Sequence, residues 1–86
     1  MEKTSKKVSK TIIITGSNRG LGYAILKRLA SRHSDYHFIM AVRKIENGKK
    51  ALQELSETIE GIKARVTIAT VDISDSDSID KFVNWI

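Results

Sequence analysis

Three glycines, Gly16, Gly20 and Gly22, follow a short apolar run that ends in Thr15, and Tyr23-Ala-Ile-Leu-Lys-Arg-Leu-Ala30 then continues with helical character. A strand that breaks into a glycine turn and restarts as a helix aims several backbone N–H groups, and the positive end of the helix dipole, at one point. The chemistry that suits such a point is phosphate binding. Side chains at the glycine positions would block a pyrophosphate or the tight turn, and would hold the helix away from the strand. The spacing is G-x3-G-x-G rather than G-x-G-x-x-G, and no Gly-Lys-Ser/Thr run supplies the P-loop alternative. A glycine turn that serves only helix–strand packing is the competing reading.

Charged residues stand where two further strands should end. Arg43 directly follows the apolar run His37-Phe-Ile-Met-Ala-Val42, Lys44 comes next, and no Asp or Glu lies at positions 41–44. In a mononucleotide fold this strand end faces the adenosine ribose. A carboxylate there bonds the 2′-hydroxyl of NAD, whereas an arginine accommodates the 2′-phosphate of NADP. Arg19, inside the glycine turn, could reach the same phosphate and complete a two-cation clamp. Asp72 closes Val71-Asp72-Ile73. It could accept a hydrogen bond from the adenine amino group, with Ile73 against the ring. Solvated surface arginines, and a turn or capping aspartate, are the alternatives. His33 and His37 flank a turn without a carboxylate or third ligand, and read as surface residues. Tyr23 and Trp85 read as packing.

The elements that must position these residues follow from periodicity. Residues 11–15 and 37–42 are apolar strands, the second a continuous run expected to be covered on both faces. Residues 65–71 form a third, less buried strand. Residues 20–33 carry Leu21, Ile25 and Leu29 spaced by four, with Ala24, Leu26 and Ala30 widening the stripe, and 46–60 carry Gly48, Ala51, Leu52, Leu55 and Ile59 on one face, with Gly61 as the stop. The Ser74–Ser78 run offers N-caps and a Ser74…Asp77 capping-box spacing ahead of Ile79, Phe82, Val83 and Ile86. Alternating strands and helices predict an α/β fold, a partial Rossmann-like doubly wound parallel sheet of order 3-2-1. Right-handed crossovers place helices 20–33 and 46–60 on one face. Residues 75–86 are left for the other face, and strand 11–15 becomes an exposed edge open to self-association.

Composition narrows the classes. With 86 residues there is at most one domain, and 41% hydrophobic and 29% charged residues describe a globular rather than a disordered chain. The absence of cysteine excludes disulfides and thiolate metal sites. Residues 1–10 lack the apolar core of a secretion signal and read as a basic, solvated leader, so the expected location is cytoplasmic. Four lysines of that leader account for much of the +5 net charge. Aromatics are 6% and not interleaved with the arginines, so a nucleic-acid partner is not expected, and no apolar run is long enough to suggest a membrane span. The third helical pattern has no C-cap after Trp85-Ile86, an ending expected of an interrupted domain.

Thr15-Gly16-Ser17-Asn18-Arg19-Gly20-Leu21-Gly22, Ala41-Val42-Arg43 and Asp72-Ile73-Ser74 together resemble the N-terminal third of the short-chain dehydrogenase/reductase family. Within it, the chain looks most like the NADPH-dependent carbonyl reductases. The resemblance covers residues 10–86. It implies Gly16, Ser17, Asn18, Arg19, Gly20, Leu21 and Gly22 around the cofactor diphosphate and ribose, Arg43 as the selector of NADP(H), and Asp72 and Ile73 at the adenine. Asn47 departs from the family pattern, since carbonyl reductases often place another basic residue there. The family's Asn-Ala-Gly segment, catalytic serine and Tyr-x3-Lys pair have no counterpart; Tyr23 and Lys27 match the last spacing but fall in the first helix. A small carbonyl substrate is therefore expected only of a longer form.

Overall fold

Alternation along one strand decides where the helices sit. The structure, a computed structural model, describes residues 10–86. Its elements are β1 (Lys10–Thr15), α1 (Gly20–Arg32), β2 (Tyr36–Val42), α2 (Ile45–Ser56), β3 (Val66–Thr70) and α3 (Ser76–Trp85), with a 3-10 turn at Ile62–Arg65. The strands form one parallel sheet with β2 in the middle. This is the expected 3-2-1 order, and the fold is the N-terminal part of a Rossmann-like α/β sheet.

Successive β2 side chains point to opposite faces. Phe38, Met40 and Val42 are buried in one cluster with Leu26 and Ala30 of α1, Ala51 and Leu55 of α2, and Ile62 and Val66. Both crossover helices therefore pack on the same face, as right-handed connections require. Leu26 and Ala30 lie one helical turn apart and form the buried stripe of α1. On α2 the stripe is Gly48, Ala51 and Leu55. A Cβ at position 48 would come within 2.7 Å of Ile68 Cγ2, so the small residues of α2 set how closely it approaches β3. On the other side of β2, Ile39 and Ala41 are also buried. No residue of α3 is buried; Ile79 and Val83 along it, and Ile86 just after it, remain exposed. Among the described residues no helix is long and apolar enough to cross a membrane.

Several boundaries differ from the sequence expectation. Lys10 belongs to β1 rather than to the leader: it pairs with Tyr36, and its ammonium lies 5.9 Å from the Tyr36 ring centroid. Residues 1–9 of that leader lie outside the described residues. The α2 helix stops at Ser56 instead of residue 60, because residues 57–61 tighten into turns that end at Gly61, with φ of +77°. The 3-10 turn that follows had no periodic signature, yet it buries Ile62 completely. Of the N-caps offered by the Ser74–Ser78 run, Asp75 is the one used, its carboxylate accepting from the Asp77 N–H; Ser74, whose spacing to Asp77 suggested a capping box, bonds to Asp72 instead.

Arg65 ends the 3-10 turn and ties the crossovers together. Its guanidinium donates to the carbonyls of Ala30, His33 and Tyr36 and lies 5.9 Å from the Phe38 ring centroid. Ala30 and His33 close α1, where carbonyls lack helical partners and the dipole favours a cation. Arg65→Ala leaves these part-buried carbonyls unpaired and should cost about 2 kcal/mol of stability in urea unfolding, with Arg65→Lys recovering only part. An alanine variant within ~0.5 kcal/mol of wild type would show that the bonds contribute nothing net.

Candidate functional site

Parallel pairing aligns the strands at their C-terminal ends, with Thr15 opposite Ala41 and Ala41 opposite Ala69. The ladder continues into the loops: the Gly16 N–H donates to Ala41 O at 2.9 Å, and the Val71 N–H to Val42 O at 2.8 Å. The glycine turn, the segment after β2 and the segment after β3 thus lie side by side along one edge of the sheet. They border an open cleft of about 870 Å³, a volume typical of small-molecule sites. Gly16, Asn18, Arg19, Arg43, Asp72 and Ile73 all line it.

The remaining residues expected at the site build it from behind. Gly16 and Gly20 have φ of +61° and +63°, which only glycine adopts freely. Gly22 permits the close contact of turn and helix: a Cβ there would sit 2.8 Å from Gly16 O and 3.0 Å from Ser17 Cα. The Ser17 side chain turns inward, fully buried, and its Oγ donates to Ile14 O at 2.9 Å. It braces the turn rather than facing the cleft. Leu21, in the first turn of α1, is 77% exposed and, like Gly20 and Gly22, is not part of the cleft wall.

The start of α1 is left open to an anion. Arg19 precedes it in extended conformation without a side-chain cap bond, and no acidic residue occupies the first turn. The first N–H groups of a helix have no intrahelical acceptor, and the dipole adds positive potential there. A phosphate fits both features better than any neutral group.

Across the cleft, Asp72 is tightly held. Its Oδ1 accepts from the Ser74 hydroxyl at 2.6 Å and the Ser74 N–H at 3.0 Å, and its Oδ2 lies 3.9 Å from Arg43 Nε. The Ser74 hydroxyl bond, then the Ser74 N–H, holds the carboxyl below its ordinary value, with a smaller contribution from Arg43. Arg43 is 77% exposed, so this pair stabilises the fold little and leaves the guanidinium free to engage another anion.

Sequence reasoning missed part of the wall. Lys50, Ala51 and Glu54 from the second turn of α2 onward join Lys44 and Asn47 there. The signal was present: 47, 50 or 51, and 54 fall on one helical face directly after Arg43. Tyr23 is half-buried against the core, and its hydroxyl is shifted up first by burial and then by Glu54 and Glu57. His33 stacks on Tyr36, and His37 Nε2 is 2.8 Å from Thr67 Oγ1. Neither lines the cleft. Among the described residues no group of three His, Cys, Asp or Glu could hold a metal ion.

Known proteins share this fold. The family model described as short chain dehydrogenase matches residues 10–86. A short-chain dehydrogenase/reductase of Aspergillus fumigatus is 29% identical over 75 residues, which is 87% of this chain and 28% of the fungal protein. The menthone neomenthol reductase from Mentha piperita superposes with a TM-score of 0.77 at 29% identity, covering 95% of this chain and 27% of that one. An alcohol dehydrogenase from the archaeon Thermococcus sibiricus, solved with 5-hydroxy-NADP, gives 0.66 at 29% identity, covering 85% and 29%. The chain thus spans less than a third of the length of each of these relatives.

The Asp72 bonds have a measurable consequence. A carboxyl held low contributes stability that is complete well above its ordinary value of 3.8 and is lost as pH falls through and below that value. Ser74→Ala should raise the Asp72 titration midpoint toward 3.8 in a ¹³C-detected NMR titration. An unchanged midpoint would assign the shift to another group.

Proposed function

Because the chain belongs to the short-chain dehydrogenase family, we propose that its cleft binds NADP(H), as the cofactor-binding part of an oxidoreductase that reduces carbonyl compounds to alcohols. One observation carries this reading: Arg43 stands at the C-terminal end of β2, in the cleft, with no carboxylate beside it in the chain to favour a free 2′-hydroxyl. Support comes from the uncapped start of α1 on one side of the cleft and Asp72 on the other. The Mentha reductase and the NADP-analogue complex of the Thermococcus dehydrogenase point the same way.

The residues divide the work by chemistry. Gly16 and Asn18, which line the cleft, would contact the diphosphate, while Ser17, Gly20, Leu21 and Gly22 would shape the turn and the helix start that face it. Arg43 and Arg19 would share the 2′-phosphate, with Lys44 and Lys50 adding positive potential nearby. Asp72 would accept from the adenine amino group while Ile73, 71% exposed, covers one face of the ring. NADPH, when bound, supplies a hydride. The side chains that the family resemblance implies for carbonyl chemistry have no counterpart in these 86 residues, so this chain by itself would bind the cofactor without turning it over.

A second reading, a non-catalytic nucleotide-binding or interaction module, draws on the edge of the sheet. Among the described residues β1 pairs only with β2, and Ile13 is 42% exposed. Free strand edges template further pairing. Light scattering after size exclusion should show concentration-dependent self-association that Ile13→Lys suppresses; a monomer at all concentrations removes this proposal.

Calorimetric titration with NADPH and NADH tests the principal reading. NADPH should bind more tightly, and Arg43→Ala should weaken it about ten- to a hundredfold while NADH affinity barely changes. Equal indifference of the wild-type chain to both nucleotides would sink the cofactor assignment.

A further inference from the structure

We propose that Ser78, in the first turn of α3, is the positioning residue for the carboxylate that recognises the adenine base. This rests on the NADP(H) reading above and deepens it. The Asp72 N–H donates to Ser78 Oγ at 2.8 Å, across six residues of chain. The Asp75 N–H donates to Asp72 O at 3.0 Å, and both Ser74 donors occupy Asp72 Oδ1. Of the four polar groups of Asp72, only Oδ2 lacks a hydrogen bond among these contacts, and it faces Arg43. That atom is the acceptor available to an exocyclic amine.

The two serines do different things. Ser74 lies two residues from Asp72, so its bonds travel with the carboxylate and set its charge without fixing its place. Ser78 lies on α3, and its hydroxyl accepts the one Asp72 N–H that neither the sheet nor the helix can use. On the preceding residue, the Val71 N–H still bonds to β2 at Val42 O. The loop is therefore pinned on one side to the sheet by Val71 and on the other to α3 by Ser78. Remove the second pin and only the Asp75 N–H bond to Asp72 O still ties the residue to the start of α3, so Asp72 can rotate away from the cleft with its Ser74 bonds intact. A small hydroxyl suits this position because ordering it costs little side-chain entropy.

The test compares NADPH with its hypoxanthine analogue, whose base carries an oxo group where adenine carries the amine. Titrations use the full 86-residue chain as wild type, Ser78→Ala and Ser78→Thr. The wild type should prefer the adenine form by about tenfold, one charge-assisted hydrogen bond. Ser78→Ala should narrow the preference to about twofold by weakening NADPH alone, and Ser78→Thr, which keeps the hydroxyl, should restore it. In the cofactor-free chain, exchange of the Asp72 amide should accelerate in Ser78→Ala and not in Ser78→Thr. Equal weakening of both nucleotides in Ser78→Ala would show a general structural role and overturn the proposal, as would an unaltered adenine preference. A wild-type chain indifferent to the base overturns the adenine reading itself, and the proposal falls with it.

Discussion

Everything at the cleft depends on β2 being the middle of an in-register parallel sheet. Parallel strands need crossovers, and right-handed crossovers of similar hand put α1 and α2 on one face. The same pairing brings the ends of all three strands level, so that Gly16, Arg43 and Asp72, distant in sequence, become neighbours in space. A one-residue slip of β2 would send Phe38, Met40 and Val42 out of the core and exchange them for His37, Ile39 and Ala41. The continuous apolar run makes that exchange less forbidding than in a half-polar strand. What favours this register is volume: the cluster against α1 and α2 takes Phe38 and Met40, both completely buried, the two largest side chains of the strand's inner face.

Arg65 and Arg43 show how burial assigns tasks to one residue type. Arg65 spends its donors on carbonyls of α1 and the start of β2, and its planar guanidinium reaches several acceptors that a lysine could not serve together. Arg43 has one weak partner and lies mostly in water. A cation already satisfied contributes stability but no recognition. A cation held loosely at the cleft stays free to meet another anion at little cost to stability, because an exposed ion pair is worth little when broken. Asp72 follows the same division internally: Oδ1 is committed to Ser74, and Oδ2 is left available.

The sequence carried most of the fold because periodicity reports burial directly. The apolar run at 38–42 and Ala51 with Leu55 each identify an element and its inner face, whereas on α1 the expected stripe of Leu21, Ile25 and Leu29 marks the helix but not its inner face, because Leu21 and Ile25 are exposed and Leu26 and Ala30 are the buried pair. Boundaries were less legible where tertiary contacts override local signals. Lys10 looks like part of a solvated tail, and only its pairing with Tyr36 shows it to be strand. Ile62 sits in a short 3-10 turn with no period to detect, although it is as buried as Phe38. Side-chain direction was the other gap. Ser17 belongs to the glycine motif, but motif membership does not distinguish a residue that faces a ligand from one that braces the turn. Likewise, Ser74 and Asp75 are both competent N-caps by type. The choice between them follows from Asp72, which draws Ser74 backward and leaves Asp75 to the helix.

This last competition explains why the segment after β3 is so rich in Ser and Asp. The chain must leave the sheet, turn and begin α3 within Val71–Asp75, and each step exposes backbone N–H groups that need acceptors. Asp72 serves Ser74, Asp75 serves Asp77, and Ser78 reaches back to Asp72. Apolar residues would supply none of these acceptors, and longer polar side chains would lose more entropy in forming the same short bonds. The helix start and the cleft wall are thus one hydrogen-bonded unit.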